Sequence, residues 1–281
     1  MKYHSAPLIP HKSALMSAPA NLLAEEVCLP AALLKKSALE NNISWMQRYA
    51  DARGVSLAPH GKTTMTPWIF QAQQRAGAWG IGVGSVWQAS AAMASGIQRV
   101  LMVNQLVGKA NMQVVAQLKA HYRAVDFICC VDSEVNVRAL SAFFADQGQT
   151  LDVLIELGVP GGRCGCRSVD DALALAQRVS DLPGLRLRGL ELYEGVLHGD
   201  DPQPQVDYRN GQELALRAES IVSTGIMDQH CMLRLAPGSD VQVGDILLFG
   251  TSHPCLTFDK WKTLLLVDDD YNVLDELDTL F

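Results

Sequence analysis

The stretch VSLAPHGKTTM (Val55–Met65) decides the fold, because it joins a strand-like apolar run to a turn that contains one lysine. The run Val55–Ala58 predicts a β-strand, and Lys62 follows it in the turn. Side chains that follow the carboxyl ends of parallel strands commonly carry the chemistry of α/β proteins. The position of Lys62 therefore predicts a chemical role, although a lysine taken alone is most often a solvated surface group.

Composition and charge restrict the class of protein. The 281 residues, 48% of them apolar and 19% charged, are enough for one large domain or two. A net charge of −7 gives no electrostatic reason to expect nucleic acid or an anionic membrane as a partner. Seven cysteines, including the adjacent pair Cys129-Cys130, favour a reducing compartment. No segment has signal-peptide character or approaches the roughly 20 apolar residues of a membrane span, so we expect a cytoplasmic protein.

Short β-branched runs alternate with longer helical stretches, which is the pattern of parallel strands joined by crossover helices. We count six such repeats. The predicted strands are Val55–Leu57, Trp79–Val83, Arg99–Val103, Phe127–Val131, Val153–Leu157 and Gly189–Tyr193. The predicted helices are Leu34–Ala52, Trp68–Ala76, Trp87–Ala94, Lys109–His121, Glu134–Phe144, Asp170–Val179 and Gln212–Ser223. Since an eight-stranded barrel typically takes about 250 residues, six repeats indicate either an open sheet or the absence of two units.

The pattern changes after Gly225, where short alternating runs predict an antiparallel β segment without helices. We therefore expect a β/α domain over residues 1–225 and a β domain over 226–281. The acidic run Asp268-Asp269-Asp270 predicts a solvated hairpin turn between two strands rather than a metal site.

A glycine-rich loop, Gly161–Ser168, follows the fifth predicted strand. Its glycines allow the backbone to approach a ligand closely, and Arg163 or Arg167 could bind an oxyanion. The alternative is a flexible loop that ends in Ser168 as a helix N-cap. The motif Glu191-Leu192-Tyr193-Glu194-Gly195 lies at the end of the sixth predicted strand and brings a phenol and two carboxylates to the same end of the sheet. Tyr193 is equally consistent with a half-buried packing residue.

Two pairs of residues raise the question of a metal. His253 and Cys255 share one face of an extended chain and could form half of a zinc site. Two ligands do not define a site, and a core cysteine beside a surface histidine is the alternative. Cys164 and Cys166 form a lone Cys-x-Cys, which is a poor zinc signature without a second pair.

Taken in order, these features resemble the D-serine dehydratase and D-threonine aldolase family of fold-type III pyridoxal phosphate enzymes, and within it the amino acid deaminase branch. The similarity runs through nearly all of the chain. It rests on Leu22-Leu23, Leu29-Pro30, Pro59–Thr64, Ala76–Gly80, Val103–Gln105, Arg163–Gly165 and Ser252–Cys255.

The resemblance implies an alanine racemase-like (β/α)8 TIM-type barrel with a C-terminal β domain, in a homodimer whose site lies at the barrel mouth near the interface. By this resemblance Lys62 holds pyridoxal 5'-phosphate as a Schiff base, and His60 lies in the same cofactor site. Arg163 faces the phenolic oxygen of the cofactor, and Tyr193 lies near its pyridine nitrogen.

The resemblance also implies a lyase that acts on D-amino acids with a β-hydroxyl group and gives a 2-oxo acid and ammonia. Lys62, once released, is the general base, and zinc bound by His253 and Cys255 activates the β-hydroxyl as a Lewis acid. The alternative within the family is C–C cleavage of the D-threonine aldolase type.

One large departure separates this sequence from the family pattern. The last two barrel units and the first part of the β domain, roughly a hundred residues, are missing near residues 223–227. The usual phosphate anchor is missing with them. Leu192 stands where we expect glycine. A non-catalytic carrier of pyridoxal phosphate and an inactive remnant therefore remain as alternatives to an enzyme.

Overall fold

The computed structural model describes residues 19–193, 206–209, 212–213, 221–227, 229–250 and 254–281, with the backbone alone at 206–209, 212–213 and 226–227. Two compact units divide the chain. One holds the described residues of 43–201 together with 280–281, and the other holds those of 1–42 and 202–279. The expected domain boundary near residue 225 stays a prediction.

A parallel sheet of five strands, in which each strand lies beside the next one along the chain, forms the centre of the first unit. Its strands are β2 (Ile81–Val83), β3 (Arg99–Gln105), β4 (Asp126–Val131), β5 (Leu151–Leu157) and β6 (Leu185–Leu192). The helices that precede or connect them are α2 (Pro67–Ala76), α3 (Val86–Ala94), α4 (Lys109–His121), α5 (Glu134–Asp146) and α6 (Val169–Asp181). These bounds confirm the alternation that the sequence predicts.

The predicted first strand is extended chain that runs beside β2. The backbone N–H of Trp79 donates to the Leu57 carbonyl at 2.7 Å, and that of Gly82 donates to the Pro59 carbonyl at 2.8 Å. A parallel bridge pairs His60 with Gly82. This segment therefore occupies the place of a sixth strand at the β2 edge, although its hydrogen bonding is too sparse to make a regular ladder.

One face of the sheet packs against the helices and forms the main hydrophobic core. The core includes Phe127, Cys129 and Val131 of β4 and Val153 and Ile155 of β5. Side chains alternate between the faces of a strand, so Cys130, Leu154 and Glu156 lie on the opposite face. We call this the inner face.

Serine caps or a proline mark the starts of four helices, and the sequence analysis names the cap at Ser168. Ser85, Ser133 and Ser168 each accept a backbone N–H at the start of α3, α5 and α6, and Pro67 opens α2. Among the described residues, no helix is both long enough and apolar enough to cross a membrane.

Strand pairing replaces the helix that the sequence predicts over Gln212–Ser223. Gln212–Glu213 form β8, and Ile221–Met227 form β9, which pairs antiparallel with β10 (His230–Leu235). Residues 214–220 lie outside the described part of the chain. The prediction is therefore wrong at both ends of this segment, because pairing between strands overrides a local helical pattern.

Short sheets form the second unit. In one of them β12 (Thr263–Val267) pairs in parallel with β1 (Leu33–Lys35) and antiparallel with β13 (Val273–Asp278). β11 (Leu247–Phe249), β7 (Val206–Arg209) and β8 form another. The Asp268 carboxylate accepts the backbone N–H groups of Asp270 and Asn272, which confirms the predicted hairpin turn. The strand β1 replaces the first turn of the predicted helix at Leu34, and α1 occupies Lys36–Asp51.

Candidate active site

Lys62 lies in a 3-10 turn, Gly61–Thr63, at the end of the extended segment beside β2. Its backbone N–H donates to Nδ1 of His60 at 3.3 Å, which caps the turn. The Lys62 side chain is exposed, and the structure gives its ammonium group no hydrogen bond or ion pair within the described part of the chain. Lys62 is therefore available to react at the carboxyl end of the sheet.

Gly61 brings this turn into contact with the core. A Cβ added there would lie 2.7 Å from Cε1 of Phe70 and 2.9 Å from Cγ2 of Ile81, so no side chain fits. Met65 then closes the turn with φ of 42°, in the left-handed region that non-glycine residues rarely adopt. Its buried side chain fixes that conformation. The position of Lys62 is therefore set by core packing.

His60 is a neutral neighbour of Lys62. The pKa of His60 is lowered to about 4, first by desolvation of the imidazole and then by the positive charge of Lys62. Part of the residue is nevertheless exposed. The ring therefore carries no charge near neutral pH, and its Nδ1 acts as an acceptor for the turn.

The loop between β5 and α6 folds back onto the end of β5. The Gly158 N–H donates to the Cys166 carbonyl at 2.9 Å, and the Cys166 N–H donates to the Glu156 carbonyl at 2.8 Å. Gly165, with φ of 97°, packs so closely that an added Cβ would lie 2.4 Å from the Gly158 nitrogen. Glycine is required here for close approach of backbone to backbone rather than to a ligand.

The two arginines of this loop have different environments. The Arg167 guanidinium donates to the backbone carbonyls of Cys164, Gly162 and Arg163 at 2.7, 3.0 and 3.2 Å. It therefore holds the loop together. The Arg163 guanidinium instead lies over the ring of Tyr193, with 4.7 Å between its Cζ and the ring centroid. This cation–π contact brings together two residues that the sequence analysis singled out separately.

A row of polar side chains crosses the inner face at the carboxyl ends of β3 to β6. Gln105 Nε2 donates to Oε2 of Glu156 at 2.5 Å. One oxygen each of Glu156 and Glu191 and the Cys130 sulfur lie within 4.8 Å of one another. Among the described residues, this is the group of donor atoms that could hold a metal ion. The sequence analysis singled out Glu191 and gave Gln105, Cys130 and Glu156 no role in a site. These residues are far apart in the sequence, and only the strand register brings them together.

Electrostatics make the Cys130 thiol a poor metal ligand as it stands. Desolvation and the negative charges of Glu191 and Glu156 raise the pKa of Cys130 far above its usual range. The thiol is therefore protonated near neutral pH, whereas metal binding requires the thiolate.

The predicted zinc pair falls in the second unit. His253 lies outside the described residues. Cys255 lies in a 3-10 turn, Pro254–Leu256, and is partly exposed. The pair stays a prediction.

Comparison with known proteins identifies the family. The model described as "Alanine racemase, N-terminal domain" matches residues 34–221, which is more than half of the chain, and "Putative serine dehydratase domain" matches residues 184–267. The chain belongs to the fold-type III family of pyridoxal phosphate enzymes. This confirms the predicted resemblance to the D-serine dehydratase and D-threonine aldolase family.

One curated relative also supports this family. A D-threonine aldolase from Arthrobacter sp. is 37% identical over 166 residues, which cover 59% of this chain and 43% of the relative. The chain thus spans less than half the length of that curated relative.

Two solved structures support the fold. A D-threonine aldolase from Filomicrobium marinum gives a TM-score of 0.76 at 20% identity, covering 94% of this chain and 97% of the other. A D-threo-3-hydroxyaspartate dehydratase variant, solved in its metal-free form, gives a TM-score of 0.62 at 21% identity, covering 92% and 99%. At these identities the likeness concerns the fold, which is the alanine racemase-like α/β fold predicted from the sequence.

Proposed function

We propose that this protein is a pyridoxal phosphate-dependent lyase that acts on D-amino acids with a β-hydroxyl group. The observation that carries the proposal is the amine of Lys62, exposed at the carboxyl end of the sheet and without a partner in the described part of the chain. An amine in this state can condense with an aldehyde, whereas a salt-bridged amine first has to break its ion pair.

The residue types at the carboxyl end of the sheet suit the proposed cofactor. When bound, pyridoxal phosphate supplies an electron sink for the carbanion formed at the α-carbon of the substrate. Lys62 would hold it covalently and then act as general base at the α-hydrogen. Neutral His60 adds no positive charge beside Lys62 and keeps the turn in place. Arg163 and Tyr193, in contact at 4.7 Å, would meet the phenolic oxygen and the ring nitrogen of the cofactor.

Two reactions are possible from the same bound substrate. One begins with loss of the α-proton, and the other breaks the bond between the α- and β-carbons. The first is dehydration and deamination, which yields a 2-oxo acid and ammonia. The second is aldol cleavage, favoured by the 37% identity to a D-threonine aldolase. In both cases a divalent metal, zinc by our proposal, would act as Lewis acid on the β-hydroxyl through His253 and Cys255.

The remaining assignments complete this proposal. We place the protein in the cytoplasm, expect a homodimer, and assign residues 1–225 to cofactor binding and 226–281 to the remnant of the β domain. The absence of two barrel units near residues 223–227 makes a non-catalytic carrier or an inactive remnant the alternative outcomes of the test.

The test begins with the Lys62 amine. The protein is incubated with pyridoxal phosphate, reduced with borohydride and digested, and the modified lysines are located by mass spectrometry. We expect a pyridoxyl adduct on Lys62 that disappears in Lys62→Ala and persists in Lys109→Ala, an exposed lysine at the start of α4. A folded preparation without the Lys62 adduct contradicts the proposal.

Product analysis then distinguishes the reactions. D-serine and D-threonine are added to the loaded protein. A 2-oxo acid indicates dehydration, glycine with acetaldehyde from D-threonine indicates aldol cleavage, and neither product with an intact adduct indicates a carrier.

A further inference from the structure

The loop between β5 and α6 has a firmly anchored base. Leu157 at the end of β5 forms a parallel bridge with Cys166, and the Ser168 cap fixes the start of α6. Arg167 stands directly between these two anchors. Because its backbone is held on both sides, its side chain starts from a fixed position.

The Arg167 guanidinium spans the loop from its base to its tip. At the base it lies over Gly158, where an added Cβ would overlap its Nη1 atom. At the tip it donates to three successive carbonyls, those of Gly162, Arg163 and Cys164. A guanidinium carries five N–H donors in a rigid planar fork, so one side chain can hold several peptide groups in a defined arrangement. Arg167 therefore fixes the backbone on both sides of the Arg163 side chain.

The direction of the Arg163 side chain depends on this backbone. Its guanidinium lies over the Tyr193 ring and forms no hydrogen bond or ion pair with any residue that the structure describes. A cation–π contact at an exposed site is weak, and a long side chain loses conformational entropy when it is held in one place. The contact with Tyr193 therefore requires that the loop already places Arg163 beside the ring.

We infer that Arg167 is a positioning residue, which holds the loop in the conformation in which Arg163 contacts Tyr193 and meets the phenolic oxygen of the cofactor. The inference rests on the proposed function, because the roles of Arg163 and Tyr193 toward the cofactor are assigned there. The donors of Arg167 are directed at loop carbonyls, so it acts through Arg163 and makes no contact of its own with the cofactor.

The first test needs no cofactor. The protein is labelled with 3-fluorotyrosine, and the fluorine resonance of Tyr193 is identified as the one that Tyr193→Phe lacks. Arg163→Gln removes the cation–π contact and should shift this resonance. Arg167→Gln should shift it in the same direction, because the released loop no longer holds Arg163 against the ring.

Two further variants separate loop geometry from charge and from stability. Arg167→Lys keeps the positive charge but lacks the fork, so it should shift the Tyr193 resonance as Arg167→Gln does. It decides the result if Arg167→Gln does not fold. Arg186→Gln is the matched control, since Arg186 donates two hydrogen bonds to buried Asp152 at the opposite end of the sheet. It should leave the Tyr193 resonance in place, and circular dichroism establishes that each variant is folded.

The second test measures the dissociation constant of pyridoxal phosphate from its change in absorbance on binding. Arg163→Gln should raise this constant by about tenfold, because a hydrogen bond between charged groups is lost. Arg167→Gln should raise it by the same factor or less. The double variant should bind no more weakly than Arg163→Gln alone, since two residues that act through one contact are not additive.

The outcomes are distinct. The inference is overturned, while the proposed function stands, by an unchanged Tyr193 resonance in Arg167→Gln, by an equal shift in Arg186→Gln, or by losses of affinity that multiply in the double variant. Wild-type behaviour of Arg167→Lys also overturns it, because charge alone would then account for the effect. Absence of the reducible Lys62 adduct in the wild type overturns the proposed function, and the role of Arg167 toward the cofactor falls with it.

Discussion

Gly61 is the residue whose substitution most directly tests how Lys62 is positioned. Gly61→Ala should lower the free energy of unfolding by about 1–3 kcal/mol, because the new methyl group overlaps Phe70 and Ile81 in a packed core. Urea denaturation of the variant and the wild type measures the difference.

A second substitution provides the control for Gly61→Ala. Phe70→Leu removes the ring atoms that the new methyl group meets, so the double variant should be more stable than the sum of the two single changes predicts. Strict additivity would show that steric overlap with Phe70 is not the cause.

His60 gives the second prediction at this scale. Its pKa in the folded protein, about 4, lies below the ordinary value of 6.5, so the unfolded chain binds more protons between these limits. The contribution of His60 to stability is therefore complete above about pH 6.5 and is lost as the pH falls toward about 4. The denaturation midpoint should fall less between pH 7 and pH 5 in His60→Gln than in the wild type. An equal fall in both proteins would contradict the lowered pKa.

At the scale of elements, the start of α6 carries a prediction. The Ser168 hydroxyl accepts the Asp171 N–H at 3.1 Å and donates to the Asp171 carboxylate at 2.7 Å. Ser168→Ala should cost about 1 kcal/mol of stability, because the first turn then loses a hydrogen-bond acceptor. Ser180→Ala on the same helix is the control, since its exposed hydroxyl contacts only the preceding turn, and it should change stability by less than about 0.5 kcal/mol.

The helices and strands of the first unit were predictable because each is encoded locally. The predicted helix at Lys109–His121 coincides with α4, and the serine caps fix the starts of α3, α5 and α6. The region after Tyr193 was less predictable. The strand β9 depends on pairing with β10, which no local pattern contains.

The candidate site likewise has residues that the sequence predicts and contacts that it does not. Lys62, Arg163 and Tyr193 stand in recognisable sequence contexts, and the structure brings the last two into contact. The contact between Gln105 and Glu156 depends on the register shift between β3 and β4 as well as on the sheet order. One residue of slip would place either side chain on the other face of the sheet, so sequence alone could not predict the contact.

At the scale of the whole molecule, the β6 end of the parallel sheet exposes apolar surface. Leu190 and Leu192 are 62% and 58% exposed. Leu192 is paired in register with Leu157, which packs on the helix side, so Leu192 also lies on the helix side, opposite to Glu191. Within the described residues, no strand pairs with the outer edge of β6. Exposed apolar strand edges favour association between chains.

Polar substitution at this edge should reduce association. The double variant Leu190→Gln/Leu192→Gln should elute at a smaller size than the wild type at high protein concentration, because it removes apolar surface without changing charge. Leu274→Gln, at an exposed position of β13 in the other unit, is the control and should leave the elution volume unchanged. Light scattering on the eluted peak measures the mass. Identical masses for the wild type and the double variant would show that β6 is not the associating edge.

The adjacent thiols of β4 are a built-in probe of how often the sheet opens. Cys129 and Cys130 are both fully buried, and burial raises the pKa of Cys129 to about 12. Iodoacetamide attacks a solvent-accessible thiolate, so these two sulfurs become alkylated only when the central strand separates from its neighbours. The rate of their labelling therefore reports the stability of the sheet that carries Lys62, with neither cofactor nor substrate present.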